Sequence, residues 1–223
     1  MISILSLLRQ GEYLEAVILI LSRCFVVFCC MPIHELAHGW VAYKLGDNTA
    51  KNQGRLTFNP LAHLSPVGTL MIFLFGIGYA KPVSVNPRYF KNQKGGMALT
   101  ALAGPVSNLL MGFVSIFIFY AISSFVAINS NIGYVLCYFF YFSASVNVSL
   151  AVFNLIPIPP LDGSKILAVV LPDRIYIKYM MYERYVMIGL MILLFSGVLE
   201  GFIFNLSRIM MEIISFVPSL IFG

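Results

Sequence analysis

Residues 13–43, YLEAVILILSRCFVVFCCMPIHELAHGWVAY, decide the fold. The run is apolar over a length that suits a tilted membrane-spanning helix projecting past the bilayer edge. Its second half nevertheless carries two imidazoles and a carboxylate, at His34, His38 and Glu35. Pro32 lacks a backbone donor, so a kink or a local unwinding is expected just before His34. Arg23 is the lone Lys or Arg within the run, expected to snorkel to the surface or to pair with Glu12 or Glu15.

The rest of the chain has the same character. Of 223 residues, 60% are hydrophobic and 10% are charged, against about 25% charged in soluble domains. The mean hydropathy is +0.90. A soluble core of this size has no room for so much apolar surface, so a soluble enzyme is excluded. Cys24, Cys29, Cys30 and Cys137 all lie in apolar runs without a C-x-x-C pair, and read as small buried hydrophobes. Residues 1–9 read as a short interfacial segment.

Further spans are expected at residues 97–126, 133–156 and 184–206, with 207–223 an apolar tail of no fixed place. Residues 66–79 are apolar and glycine-rich, but as a helix they would reach only ~21 Å. They are therefore expected to form a re-entrant element. Residues 54–60, GRLTFNP, read as a short strand ending in a turn. The expected fold is an all-α polytopic membrane protein of about four to six transmembrane helices, with a re-entrant element and short membrane-associated strands. It is read as one integral membrane domain over 1–223, with a core at about 13–170 and C-terminal helices at about 184–223.

The net charge is +5, and the basic residues fall mostly in loops between apolar runs. They read as topology signals, not as a nucleic-acid surface. If 66–79 does not cross, the loops 44–65, 80–96 and 157–184 share one side and hold most of the Lys and Arg. That side is then cytoplasmic.

His34-Glu35-Leu36-Ala37-His38 fits H-E-x-x-H. Positions i and i+4 of a helix share a face, so both imidazoles reach one ion. Zinc suits two imidazoles and an oxygen ligand, with a fourth position left for water. Glu35, beside them, can take a proton from that water. Histidines and a carboxylate packed by chance inside an apolar span would be costly. The third ligand should be an acidic, His or Cys side chain, and the aspartates are Asp47, Asp162 and Asp173. Asp162 follows a proline-rich break, residues 154–163, NLIPIPPLDG. There it either caps the next helix or joins the metal. His63 reads as a loop-ordering or substrate-positioning residue rather than a ligand. Asn154 is either a helix cap or an amide that positions substrate. Gly104 and Pro105 are expected to allow close helix approach and a bend.

The chain resembles the site-2 proteases, intramembrane zinc metalloproteases. The resemblance rests on four blocks in order: His34 to His38; GRLTFNPLAH at 54–63; AGPVSN at 103–108; and NLIPIPPLDG at 154–163. AKPV at 80–83 with Asn86-Pro87 adds to it. It implies that His34, His38 and Asp162 hold one Zn2+ per chain, that Glu35 is the base, and that Asn154 positions substrate. The implied activity is zinc-dependent endopeptidase cleavage of transmembrane segments in regulated intramembrane proteolysis. The implied partners are single-span membrane proteins, a regulatory membrane protein and the lipid bilayer. The implied place is the bacterial plasma membrane, with the active site towards the cytoplasm. The chain looks like a minimal form without PDZ or CBS modules, and Ser65 stands where the family commonly has an acidic residue. An unwound substrate is expected to pair with a strand edge around Leu56. The rival reading is a membrane metal-binding or transport protein using the same ligands without hydrolysis. Against it, Glu35 has no transport role, and few other polar residues mark a path across the membrane.

Overall fold

A computed structural model describes residues 4–75, 79–125 and 130–222. After a short helix, α1 (Ile4–Gln10), the first long run folds as α2 (Tyr13–Phe25), a π-helical turn (Val26–Cys30) and α3 (Met31–Lys44). The interruption expected before His34 is therefore a widened turn rather than a break. Pro32 sits in the first turn of α3. There its missing N–H costs least, because the π turn has already shifted the hydrogen-bond ladder.

Two short helices follow, α4 (Thr49–Asn52) and α5 (Pro66–Phe75). Then come two long helices, α6 (Gln93–Phe125) and α7 (Asn131–Leu155). The chain ends with α8 (Asp162–Ile166), α9 (Asp173–Met181), α10 (Glu183–Phe195) and α11 (Val198–Phe222). Among the described residues, four helices are long and apolar enough to cross a membrane: Tyr13–Lys44, Gln93–Phe125, Asn131–Leu155 and Val198–Phe222.

The last span corrects the sequence reading. Residues 184–206 are not one helix. Helix α10 ends at Phe195 with Ser196 as its cap, and Gly197 then takes φ +76°, a conformation glycine adopts without strain. The spanning segment is α11, which absorbs the tail. Ser124 Oγ donates to the Phe222 carbonyl at 2.8 Å, fixing the end of α11 beside the end of α6.

Helix α7 is the centre of the packing. Its Val146, Val148, Leu150, Val152 and Phe153 are buried in one cluster with Val26, Leu190, Leu194 and Ile203. Polar side chains tie the helices where water is absent. Ser22 Oγ donates to the Phe139 carbonyl at 3.0 Å, and Asn147 Nδ2 of α7 donates to Cys30 Sγ at 3.5 Å. Such bonds and small residues carry helix association in lipid. Arg23 does not snorkel: it is 2% exposed, and its guanidinium donates to the Phe73 carbonyl of α5. Cys29 is exposed, unlike buried Cys30 and Cys137, and all four cysteines are free.

The strand expected at 54–60 is not formed, and no strand occurs among the described residues. Arg55 prevents it by competing for the carbonyls a partner strand would use. Its guanidinium donates to Ala62, Lys81 and Pro82 carbonyls. Leu56 packs against Gly39 of α3 instead of offering an edge. Asn59 turns the chain by accepting from Leu61 N at 3.1 Å, opening a 3-10 turn at Pro60–Ala62. Asp47 is buried and pins the next loop, accepting from Thr49 N at 2.9 Å and Asn86 N at 2.6 Å.

Helix α5 has only ten residues, or ~15 Å against a hydrocarbon core of about 30 Å. Ser65 caps it, accepting from Gly68 N at 3.3 Å, a part an acidic residue could also play. The chain returns to the level of this first turn: the Tyr79 backbone lies so close to Gly68 that no Cβ would fit. Residues 76–78, part of the expected re-entrant element, lie outside the described residues. So do residues 126–129, within the expected connection between spans.

Candidate metal centre

Three elements converge on one point. Helix α3 presents His34 and His38 from successive turns, with their rings 4.6 Å apart and nearly perpendicular. The turn after α7 delivers Asp162. The Leu161 N–H donates to the Ile158 carbonyl at 2.9 Å, and Ser164 Oγ donates to the Leu161 carbonyl at 2.7 Å, which together hold that turn. Asp162 is the first residue of α8, not its cap. Its carboxylate points back at the imidazoles.

The donor atoms are close together. His34 Nε2 and His38 Nε2 are 3.0 Å apart, and Asp162 Oδ2 lies 3.4 Å from the first and 3.1 Å from the second. Zinc held by bonds of about 2.0–2.1 Å at tetrahedral angles would separate its donors by about 3.3 Å. The donor set fits zinc in both spacing and chemistry: two imidazoles, one carboxylate, and room for a fourth group. His34, Glu35 and His38 also bring one donor atom each within 4.8 Å of one another.

The surroundings hold His38, Glu35 and Asp162. His38 Nδ1–H donates to the Thr100 carbonyl of α6 at 2.7 Å, which leaves Nε2 as the lone-pair nitrogen facing the site. Glu35 Oε2 accepts from the Val83 N–H at 2.9 Å, so the loop after α5 holds the carboxylate. Lys165 Nζ lies 3.1 Å from Asp162 Oδ1, the oxygen turned away from the imidazoles. A carboxylate placed beside the Lys165 ammonium is favoured in its ionised form, the one that ligates metal.

Helix α6 closes the back of the site. A methyl group on Gly104 would overlap both imidazoles. The sequence reading took this glycine as allowing helix approach, and what approaches is the pair of histidines themselves. Gly104→Ala is expected to displace one ring and lower zinc affinity at least tenfold, in the range of a disturbed ligand-orienting contact. Competition with a chromogenic chelator measures it, and unchanged affinity would refute this role.

The site opens into a cavity of about 480 Å³ with apolar walls. Asn154 lines it, while α7 ends at Leu155 with Ile156 as its C-cap, so Asn154 is not the cap. Methionines 31, 71, 187 and 191 line much of the rest. These flexible side chains adapt to varied apolar ligands. His63 is elsewhere. It is 1% exposed, its Nε2 donates to the Thr57 carbonyl at 2.9 Å, and its own carbonyl accepts from Lys81 N at 2.7 Å. It joins two loops and does not line the cavity with the histidines of α3. The Thr100 carbonyl and the Val83 N–H escaped sequence reading because backbone groups carry no residue identity. Lys165 could have been found, since it lies one helical turn after Asp162.

Known proteins resemble this chain. The model of Peptidase family M50 matches residues 122–199, a stretch that holds Asn154 and Asp162 and leaves His34 to His38 outside. The chain is 41% identical over 166 residues to the "Putative zinc metalloprotease YwhC" of Bacillus subtilis, covering 72% of this chain and 74% of that protein. It is 31% identical over 159 residues to the "Putative zinc metalloprotease MJ0611" of Methanocaldococcus jannaschii, covering 67% and 74%. It is 28% identical over 166 residues to the "Putative zinc metalloprotease Rip2" of Mycolicibacterium smegmatis, covering 70% and 58%. No solved structure matches the chain.

Proposed function

The chain belongs to peptidase family M50, the site-2 proteases, and from that premise we propose that it is a zinc endopeptidase that cuts single-span membrane proteins within their transmembrane segments. The observation that carries this reading is the meeting of His34, His38 and Asp162 beside Glu35, at the wall of an apolar cavity among membrane-spanning helices.

In this reading His34, His38 and Asp162 hold the ion. Bound there, zinc supplies a Lewis acid that polarises the scissile carbonyl and acidifies water. The chain's own groups do the rest. Glu35, aimed by the Val83 N–H, takes a proton from the attacking water and returns it to the leaving amine. The imidazole of His38 is kept in one tautomer by the Thr100 carbonyl. The apolar walls accept the side chains of an unwound substrate helix and exclude bulk water, which strengthens each polar contact inside. Asn154 offers an amide to the substrate backbone. The basic loops at 44–65, 80–96 and 157–184 support a cytoplasmic site. The similarity to a Bacillus protein supports a bacterial plasma membrane. A regulatory membrane protein and lipid complete the proposed partners.

The test uses purified chain in detergent with a set of single-span membrane proteins. Loaded with zinc, the chain is expected to cleave at least one of them. 1,10-phenanthroline should stop cleavage, and added zinc should restore it. Cleavage that persists unchanged after complete zinc removal would refute the proposal.

A further inference from the structure

Beyond the residues that hold and orient the ion, α6 carries polar atoms for which the fold offers no partner. Asn108 is 1% exposed and Thr100 is 3% exposed. Among the described residues, neither Asn108 Oδ1 nor Thr100 Oγ1 has a hydrogen-bond partner. Both residues line the same cavity as the histidines. A buried acceptor left unsatisfied is a net loss to the fold, and inside a bilayer few alternatives exist. Of the other buried polar atoms on the spans, those of Ser22, Ser115, Ser143 and the amide nitrogen of Asn147 find partners; Asn147 Oδ1 and Ser207 Oγ do not, but those residues lie outside the cavity lining.

The positions are regular. Thr100, Gly104 and Asn108 are spaced by four, so they lie along one face of α6. Gly104 is the residue against which the imidazoles rest. The other two therefore flank the metal centre by one helical turn each, about 6 Å along the axis. An extended peptide advances about 3.3 Å per residue. A substrate lying along this face with its cleaved bond at the metal would bring backbone groups about two residues away on each side to these atoms.

We propose that Asn108 and Thr100 bind the backbone of the unwound substrate on the two sides of the cleaved bond, Asn108 by its side-chain amide and Thr100 by its hydroxyl. An unwound segment in an apolar cavity has lost its own i to i−4 hydrogen bonds and needs such partners. The amide offers both a donor and an acceptor and so serves any sequence. Recognition by this face reads backbone rather than side chains, in keeping with methionine-lined walls. The inference deepens the proteolytic reading and rests on it.

The experiment uses the full zinc-loaded chain carrying Glu35→Gln, so that bound peptide is not consumed. The probe is a fluorescent apolar peptide of about 20 residues, long enough to span, with a central Gly-Pro break. Affinity is read by anisotropy in detergent, and thermal stability by differential scanning fluorimetry. Asn108→Leu is expected to weaken binding about tenfold while leaving zinc content unchanged and the melting temperature equal or higher, because an unpartnered polar group is removed. Thr100→Val keeps the carbonyl that holds His38 and is expected to weaken binding several-fold. Unchanged affinity in both variants, or a clear fall in melting temperature on Asn108→Leu with binding per folded molecule intact, would overturn the proposal and assign these residues to the fold. Failure of the peptide to bind even the Glu35→Gln parent would count against the proteolytic reading itself.

Discussion

Glu35→Gln will abolish cleavage while leaving zinc in place. A positioned general base contributes roughly 10²–10⁴-fold to a rate. Here the same carboxylate serves both proton transfers, so the upper part of that range is expected. The substitution suits the geometry. Glu35 is 5% exposed and makes one defined contact, accepting from the Val83 N–H at 2.9 Å. A glutamine of the same shape can accept that bond through its side-chain carbonyl oxygen. The loop after α5 should therefore stay in position, and neither metal content nor fold should change. What is lost is the capacity to take a proton. Turnover of a single-span substrate by the variant, compared with the parent at equal zinc occupancy, measures the effect. Parental turnover would mean that the proton goes elsewhere, and the role given to Glu35 would fail.

Asp162→Ala will remove both metal and activity. Among the described residues, the carboxylate is the one donor to the proposed centre from outside α3, and it arrives from a turn more than a hundred residues later in the chain. Without it two imidazoles remain, an incomplete set for zinc. The loss should exceed the about 100-fold typical of disturbing a ligand's support. Lys165, which lies 3.1 Å from Asp162 Oδ1, is left with its charge beside the site, further opposing a cation there. Asp162→Glu, which keeps the charge but lengthens the arm, should recover part of the metal and little of the turnover. Full zinc content in the alanine variant would show that another group completes the centre.

The sequence was most readable where a motif and a solvent both constrained it. H-E-x-x-H placed His34 and His38 on one helix face with Glu35 beside them, where the structure also has them, and the expected spans 13–43, 97–126 and 133–156 match Tyr13–Lys44, Gln93–Phe125 and Asn131–Leu155 to within four residues at each end. Asp162 was legible only in part, because spacing alone left capping and ligation open, and resemblance favoured ligation. The structure brings its carboxylate within 3.4 Å of both imidazoles. The C-terminal region was misread because hydropathy runs unbroken through Ser196-Gly197, and only the backbone conformation of Gly197 shows the division. The strand at 54–60 failed because Arg55 takes the neighbouring carbonyls with its side chain, a competition that pattern does not encode. Gly104 was read for its smallness, but what it makes room for, a pair of metal-ligating rings, is a three-dimensional fact.

X-ray absorption at the zinc edge, on wild-type chain purified without added chelator and on Asp162→Ala, tests the centre most directly. The account expects one zinc per wild-type chain, imidazole scattering from two histidines, nitrogen and oxygen donors at about 2.0–2.2 Å, and no bound zinc in the variant. A first shell without two imidazoles, or the same shell in both proteins, would contradict it.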